Sequence, residues 1–166
     1  MVFSPVGNTH SVLPPDAIVL QTPPMADPEL DIRSYRAADE QAVAGLWTEA
    51  FPDMRVWNRP AEYIQRKLRV QGELFLVGAL GERVVATVVA GYDGVRGWIY
   101  HLAVATEHRR RGVGRALMSA AEERLRGLGC AKINLQIYRS NAEVVRFYES
   151  IGWAVEDRIS MGRRLD

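Results

Sequence analysis

Apolar and polar positions along this chain change period repeatedly, and each period predicts an element. Residues 31–36 alternate apolar with polar and read as a first strand. Over 39–51, Val43, Leu46, Trp47 and Ala50 recur at helical spacing behind an acidic first turn. Residues 52–57 read as a loop. Asn58 then suits an N-cap, and Pro60 the first turn of a second helix through Val70. Strands over 74–80 and 84–92 follow, joined by a hairpin signal at Gly81-Glu82. Asp93-Gly94 turns the chain into a strand over 98–104. A third helix covers 116–128 and stops at Gly127 and Gly129. Residues 133–138 alternate strongly as a strand. Asn141 caps a fourth helix that ends before Gly152, and strands over 154–160 and 163–165 complete the sheet. No internal repeat is visible.

Composition bounds this picture. The 166 residues suit one core, with 48% hydrophobic and 25% charged residues. A net charge of +1 gives no support to a polyanion-coating role. Basic residues are almost all arginine, Lys67 and Lys132 apart. Cys130 has no partner for an intramolecular disulfide and reads as a small core residue. No apolar run is long enough to span a membrane, and the expected location is cytoplasmic. Residues 1–29 stand apart, with six of the eight prolines and no Lys or Arg. They lack the basic start and unbroken apolar stretch of a secretory signal, and read as a mostly disordered tail before a domain over 30–166. Met25 is an alternative start.

The chemistry concentrates after the strand at 98–104. There the chain reads His108-Arg109-Arg110-Arg111-Gly112-Val113-Gly114-Arg115 and enters a helix. The unpaired N–H groups of a first helical turn, with the helix dipole behind them, form an anion site. Gly112 and Gly114 remove the Cβ atoms that would hold a phosphate off the backbone. Arginines fork onto phosphate oxygens. A P-loop needs Lys followed by Ser or Thr, and Arg115-Ala116 stands there instead. A dinucleotide fingerprint needs Gly or Ala where Leu117 stands. By itself the loop also fits a solvated basic segment or an RNA contact.

The spacing Arg109-x-x-Gly112-x-Gly114 resembles the acyl-CoA pyrophosphate loop of the GNAT (Gcn5-related N-acetyltransferase) superfamily. A second segment, Asn141-x-x-Val144-x-x-x-Tyr148-x-x-x-Gly152-Trp153, is similar to that family's Asn-x-x-Ala-x-x-x-Tyr-x-x-x-Gly-Phe pattern, with Val144 and Trp153 as departures. Trp57-Asn58 and the turn from Gly91 to Gly97 look like the YpeA-type acetyltransferases. The resemblance implies an α/β (α+β) GNAT fold. Its sheet would be mixed and mostly antiparallel, with six or seven strands and about four helices. Its central strands would splay to hold CoA.

It also implies a reaction: direct transfer of an acetyl group from acetyl-CoA to a primary amine, on a small molecule or a protein. Leu102, Ala103 and Val104 match the stretch that pairs with the pantetheine arm, and one of these amides would polarise the thioester carbonyl. Arg109, Arg110, Arg111, Gly112, Val113, Gly114 and Arg115 would take the pyrophosphate. Tyr148 matches the residue that protonates the leaving thiolate, and Asn141 would cap its helix and contact the pantetheine arm. Where some relatives carry a Glu base this chain has Gln136, so His101 and Tyr100 are the base candidates, beside a water chain to solvent. Trp57, Asn58, Tyr92, Asp93 and Tyr100, with Arg55, would line the acceptor side. No metal, nucleic acid or membrane is expected, and a homodimer stays open. The rival readings are a protein N-terminal or lysine acetyltransferase and a non-catalytic acyl-CoA sensor.

Overall fold

A computed structural model describes residues 29–165. The expected tail, with Met25 and His10, lies outside those residues except for Glu29. The strands are β1 (Leu30–Ser34), β2 (Phe75–Leu80), β3 (Arg83–Tyr92), β4 (Gly97–Val104) and β5 (Ile133–Asn134). They form one sheet in chain order; the first four pair antiparallel, and β5 pairs parallel to β4. The helices are α1 (Glu40–Ala50), α2 (Pro60–Leu68), α3 (Val113–Gly127) and α4 (Ala142–Ser150).

β2 and β3 are apolar almost throughout because both their faces are covered. Leu76, Ala86, Val88, Ala90 and Ile99 pack on one face against Leu117, Met118, Ala121 and Leu125 of α3, with Tyr148 of α4. Phe75, Val77, Val89 and Ala103 pack on the other face against Val43, Leu46 and Trp47 of α1 and Ile64 of α2. Tyr35 and Trp47 both stack on Phe75, with ring centroids 4.7 and 5.6 Å away. The parallel β4–β5 pair needs a crossover, and α3 supplies it.

Four expectations need correction. Among the described residues the sheet has five strands, not six or seven. The strand expected over 133–138 shrinks to two residues, because pairing with β4 stops after Gly97–Ile133 and Trp98–Asn134. Residues 154–160 and 163–165 form no strand. Side chains tie that segment to β5 instead, through Glu156 with Lys132 and Asn134, and Ser160 with Gln136. Its alternating apolar residues stay in solvent, Val155 at 74% and Ile159 at 91% exposure, so no buried face fixes a register. Asn58 is not the cap of α2 either. It closes a 3-10 turn through its N–H to Arg55, and Arg59 precedes Pro60 at the first helical position.

One ion pair anchors the start of the fold. Both guanidinium nitrogens of Arg33 on β1 bond the Asp39 carboxylate, at 2.7 and 2.8 Å, and the Arg36 N–H adds a third contact at 2.7 Å. Asp39 is buried, and its hydrogen bond with Arg33 holds its carboxyl below the usual carboxylate range. Asp39→Ala leaves that guanidinium only the Asp31 carboxylate at 3.6 Å and the Ser34 carbonyl at 3.3 Å, and is expected to destabilise the protein by about 3 kcal/mol, read by urea unfolding. The folded-state pKa is lowered, so this stability is present above the unfolded value near ~4 and is lost as pH falls through the lower folded value. Acid titration of stability should show that step in the parent and not in Asp39→Asn.

Candidate active site

The loop after β4 is built to leave N–H groups free. Arg110 takes a left-handed conformation (φ +57), and so does Gly112 (φ +79), which stands at the N-cap of α3 with no side chain to cap it. The first bond of α3 runs from the Ala116 N–H to the Gly112 carbonyl at 3.0 Å. The N–H groups of Val113, Gly114 and Arg115 therefore have no partner within the helix. A 15-residue helix places its positive dipole end there.

The arginines divide by role. Arg109 Nε donates to the Val104 carbonyl at 3.0 Å and ties the loop to the end of β4. Arg115 donates to the Ser150 carbonyl at the end of α4, at 3.1 Å. Arg110 and Arg111 are exposed and hold no partner among the described residues, so their charge remains for an anion. Gly114 also serves the packing of the helices. A Cβ there would lie 3.3 Å from Phe147 of α4 and 3.7 Å from Val104, so the close approach it permits is α3 onto α4.

Among the described residues, β4 has an unpaired side along most of its length. β5 accompanies it only at Gly97 and Trp98. The Ala105 N–H bonds the Val85 carbonyl of β3 at 2.9 Å. Successive strand N–H groups point to opposite sides, which turns the Ala103 N–H toward β3 and those of Leu102 and Val104 toward the open side. Leu102 and Val104 share a hydrophobic cluster with Val144, Phe147 and Tyr148 of α4. Tyr148 is 8% exposed, with Phe147 and Trp153 at ring-centroid distances of 5.1 and 5.5 Å. Burial pushes its phenol up from the ordinary tyrosine value, so it stays protonated at neutral pH. The Asn141 side chain accepts the Val144 N–H at 3.3 Å and caps α4 as expected.

His101 sits where β4 bulges. Thr87 faces Ala103 and Val89 faces Tyr100, so His101 and Leu102 together oppose Val88. His101 is left-handed (φ +48), and its imidazole packs against Trp47, Tyr63 and Phe51 at centroid distances of 4.4, 4.3 and 5.3 Å. Burial pushes its pKa down to about 4, and its buried Nδ1 has no hydrogen-bond partner. This setting weighs against His101 as the general base. A group with so acidic a conjugate acid is a poor proton acceptor near pH 7.

The acceptor candidates separate. Trp57 and Tyr100 are exposed at 49% and 46%, Trp57 under the guanidinium of Arg164 at 5.2 Å. Tyr92 and Asp93 lie at the other end of β4 from the loop, roughly 20 Å from Val104 by strand rise. Asp93 closes the turn there, accepting the Val95 and Arg96 N–H groups at 2.8 and 2.7 Å. Sequence reasoning missed Thr87, a fully buried hydroxyl that meets both Trp47 and His101. Its signal was a lone hydroxyl within the run Val84-Val85-Ala86-Thr87-Val88-Val89-Ala90.

Comparison with known proteins bears on this geometry. A model of the acetyltransferase (GNAT) family matches residues 40–153. The acetyltransferase ECA0875 of Pectobacterium atrosepticum is 40% identical over 136 residues, covering 82% of this chain and 96% of its own. Among solved structures, Ard1 from Thermoplasma volcanium superposes with a TM-score of 0.69 at 26% identity, over 77% of this chain and 84% of its own. The aminoglycoside N-acetyltransferase AAC(6')-Iy, solved in complex with CoA, shares the fold at TM-score 0.67 and 15% identity, over 81% of this chain and 94% of its own.

Proposed function

The chain belongs to the GNAT acetyltransferase family and is an acetyl-CoA-dependent enzyme, and we propose that it moves the acetyl group to a primary amine by direct attack. The observation that carries this reading is the uncapped N-terminus of α3 beside the unpaired side of β4. An extended arm ending in a pyrophosphate fits both: amides of β4 along the arm, amides of α3 at the phosphates.

Acetyl-CoA supplies an activated thioester, so no covalent enzyme intermediate is needed. The N–H groups at Val113 to Arg115, with Arg110 and Arg111, hold the pyrophosphate. The gap beyond Trp98 and Asn134 is the proposed splay for the pantetheine arm, with Asn141 at its α4 border. The Leu102 N–H, turned to that gap, stabilises charge on the carbonyl oxygen. Tyr148, in the cluster that holds Leu102, gives its proton to the departing sulfur. The acceptor loses its ammonium proton to solvent before it attacks, the C–S bond breaks as the C–N bond forms, and the second proton released from the nitrogen restores the Tyr148 phenol through solvent. Trp57 and Tyr100 form the acceptor side, and Trp57-Asn58 with the turn from Gly91 to Gly97 supports a placement among YpeA-type enzymes.

Thermal unfolding tests the cofactor site. Acetyl-CoA at 100 times its Kd adds about 2.7 kcal/mol, which raises Tm by several degrees at this size. CoA should match it, and ATP and NADPH should not. Thiol release is then followed with polyamines, amino sugars and peptides bearing a free N-terminus. No shift at millimolar acetyl-CoA would remove the site proposed here. A shift without thiol release from any amine would favour an acyl-CoA sensor.

A further inference from the structure

We propose that Thr87 and Trp47 are positioning residues: the hydroxyl of Thr87, held by the indole of Trp47, fixes the β4 bulge that turns the Leu102 N–H toward the thioester. The inference rests on the role proposed for that amide.

The relay has a forced polarity. Trp47 Nε1 lies 2.8 Å from Thr87 Oγ1, which lies 3.2 Å from the His101 carbonyl oxygen. An indole only donates and a carbonyl only accepts. The hydroxyl must therefore accept from Trp47 and donate to His101. Trp47 and Thr87 are both fully buried, so water cannot replace either bond. The carbonyl served is that of the left-handed residue, which the extra residue of a bulge leaves outside the ladder. The Trp47 ring also packs on the imidazole of the same residue. One side chain of α1 thus holds both the backbone and the side chain of the bulge.

The extra residue sets which amides face the gap. Before the bulge, Ile99 packs toward α3; after it, Leu102 and Val104 do, and Ala103 packs toward α1 and α2. The parity has flipped by one residue. If Tyr100 kept its pairing with Val89 and no residue were extra, Leu102 would face Thr87 and Val104 would face Val85. Their N–H groups would then turn to β3 rather than to the open side. Loosening the bulge moves the amide away without touching the phosphate loop.

The test uses acetyl-CoA labelled at its carbonyl carbon, bound to the full chain and read by isotope-edited infrared spectroscopy. In the parent the bound carbonyl stretch should fall below its free-solution frequency. In Thr87→Val it should return to that frequency while the Kd stays within about threefold. Thr87→Ser keeps the hydroxyl and should restore the parent stretch, an effect that loss of stability alone would not produce. If Thr87→Val does not fold, Trp47→Phe removes the indole donor and keeps an aromatic ring, and should move the stretch in the same direction. A parent-like stretch in the folded variant overturns the positioning role and leaves the amide role intact. A parent that binds acetyl-CoA with an unshifted stretch overturns the amide role, and the positioning role with it.

Discussion

Replacing Gly112 with valine is expected to weaken acetyl-CoA binding by about 100-fold or more. Gly112 holds φ +79 and ψ −7, where a β-branched side chain is a strained outlier. Valine would rotate the peptide out of that conformation and swing the N–H groups at the start of α3 off their common target. Losing two charge-assisted hydrogen bonds at about 1.5 kcal/mol or more each accounts for roughly 3 kcal/mol, hence the factor of about 100. Calorimetric titration measures it directly. The strain also lowers stability, so the titration is run well below the variant's Tm. Arg110→Ala with Arg111→Ala is the companion variant. It removes charge and leaves the backbone intact, so its loss should be smaller and should shrink as salt rises. Parent-like affinity in a folded Gly112→Val would place the pyrophosphate elsewhere.

Most of the fold was legible because most of it is buried. β2 and β3 are apolar on both faces and bounded by turn residues, and α1 carries an unbroken helical stripe. Their boundaries fall within a residue or two of the pattern. The C-terminal segment shows where the pattern misleads. Ile159 and Met161 alternate as a strand should, yet both are 91% exposed, and alternation predicts a strand only when something covers one face. The site was legible to the extent that it depends on local geometry. Gly112 and Asn141 take the conformations their types suggest, at the two ends where helices begin. Contacts between distant segments were not legible. Arg109 and Arg115 look alike in a basic run, but each is bound to a carbonyl that only the folded chain brings near. His101 reads as a base in one dimension; in three, Trp47, Phe51 and Tyr63 close around it. The bulge that places it there depends on a hydroxyl fourteen residues earlier, on the neighbouring strand.

Tyr148→Phe is expected to lower kcat by about 100-fold or more, the usual span for removal of a general acid. The KM for acetyl-CoA should change little, because affinity comes from the loop and from backbone amides. Stability should stay within about 0.5 kcal/mol, since the phenol oxygen holds no hydrogen bond among the described residues and the ring keeps its contacts with Phe147 and Trp153. That combination separates an acid from a core aromatic. A packing residue would change stability and leave the turnover of folded molecules alone. The pH profile separates them again. Burial raises the phenol pKa, so the acid form persists above the ordinary tyrosine value of about 10. Deprotonation of Tyr148 therefore supplies no descending limb between pH 7 and about 10. A descending limb in that range that disappears in Tyr148→Phe would mean a phenol more acidic than its buried setting allows. Unchanged kcat at saturating acetyl-CoA would remove the acid role, and the departing thiolate would have to take its proton from solvent.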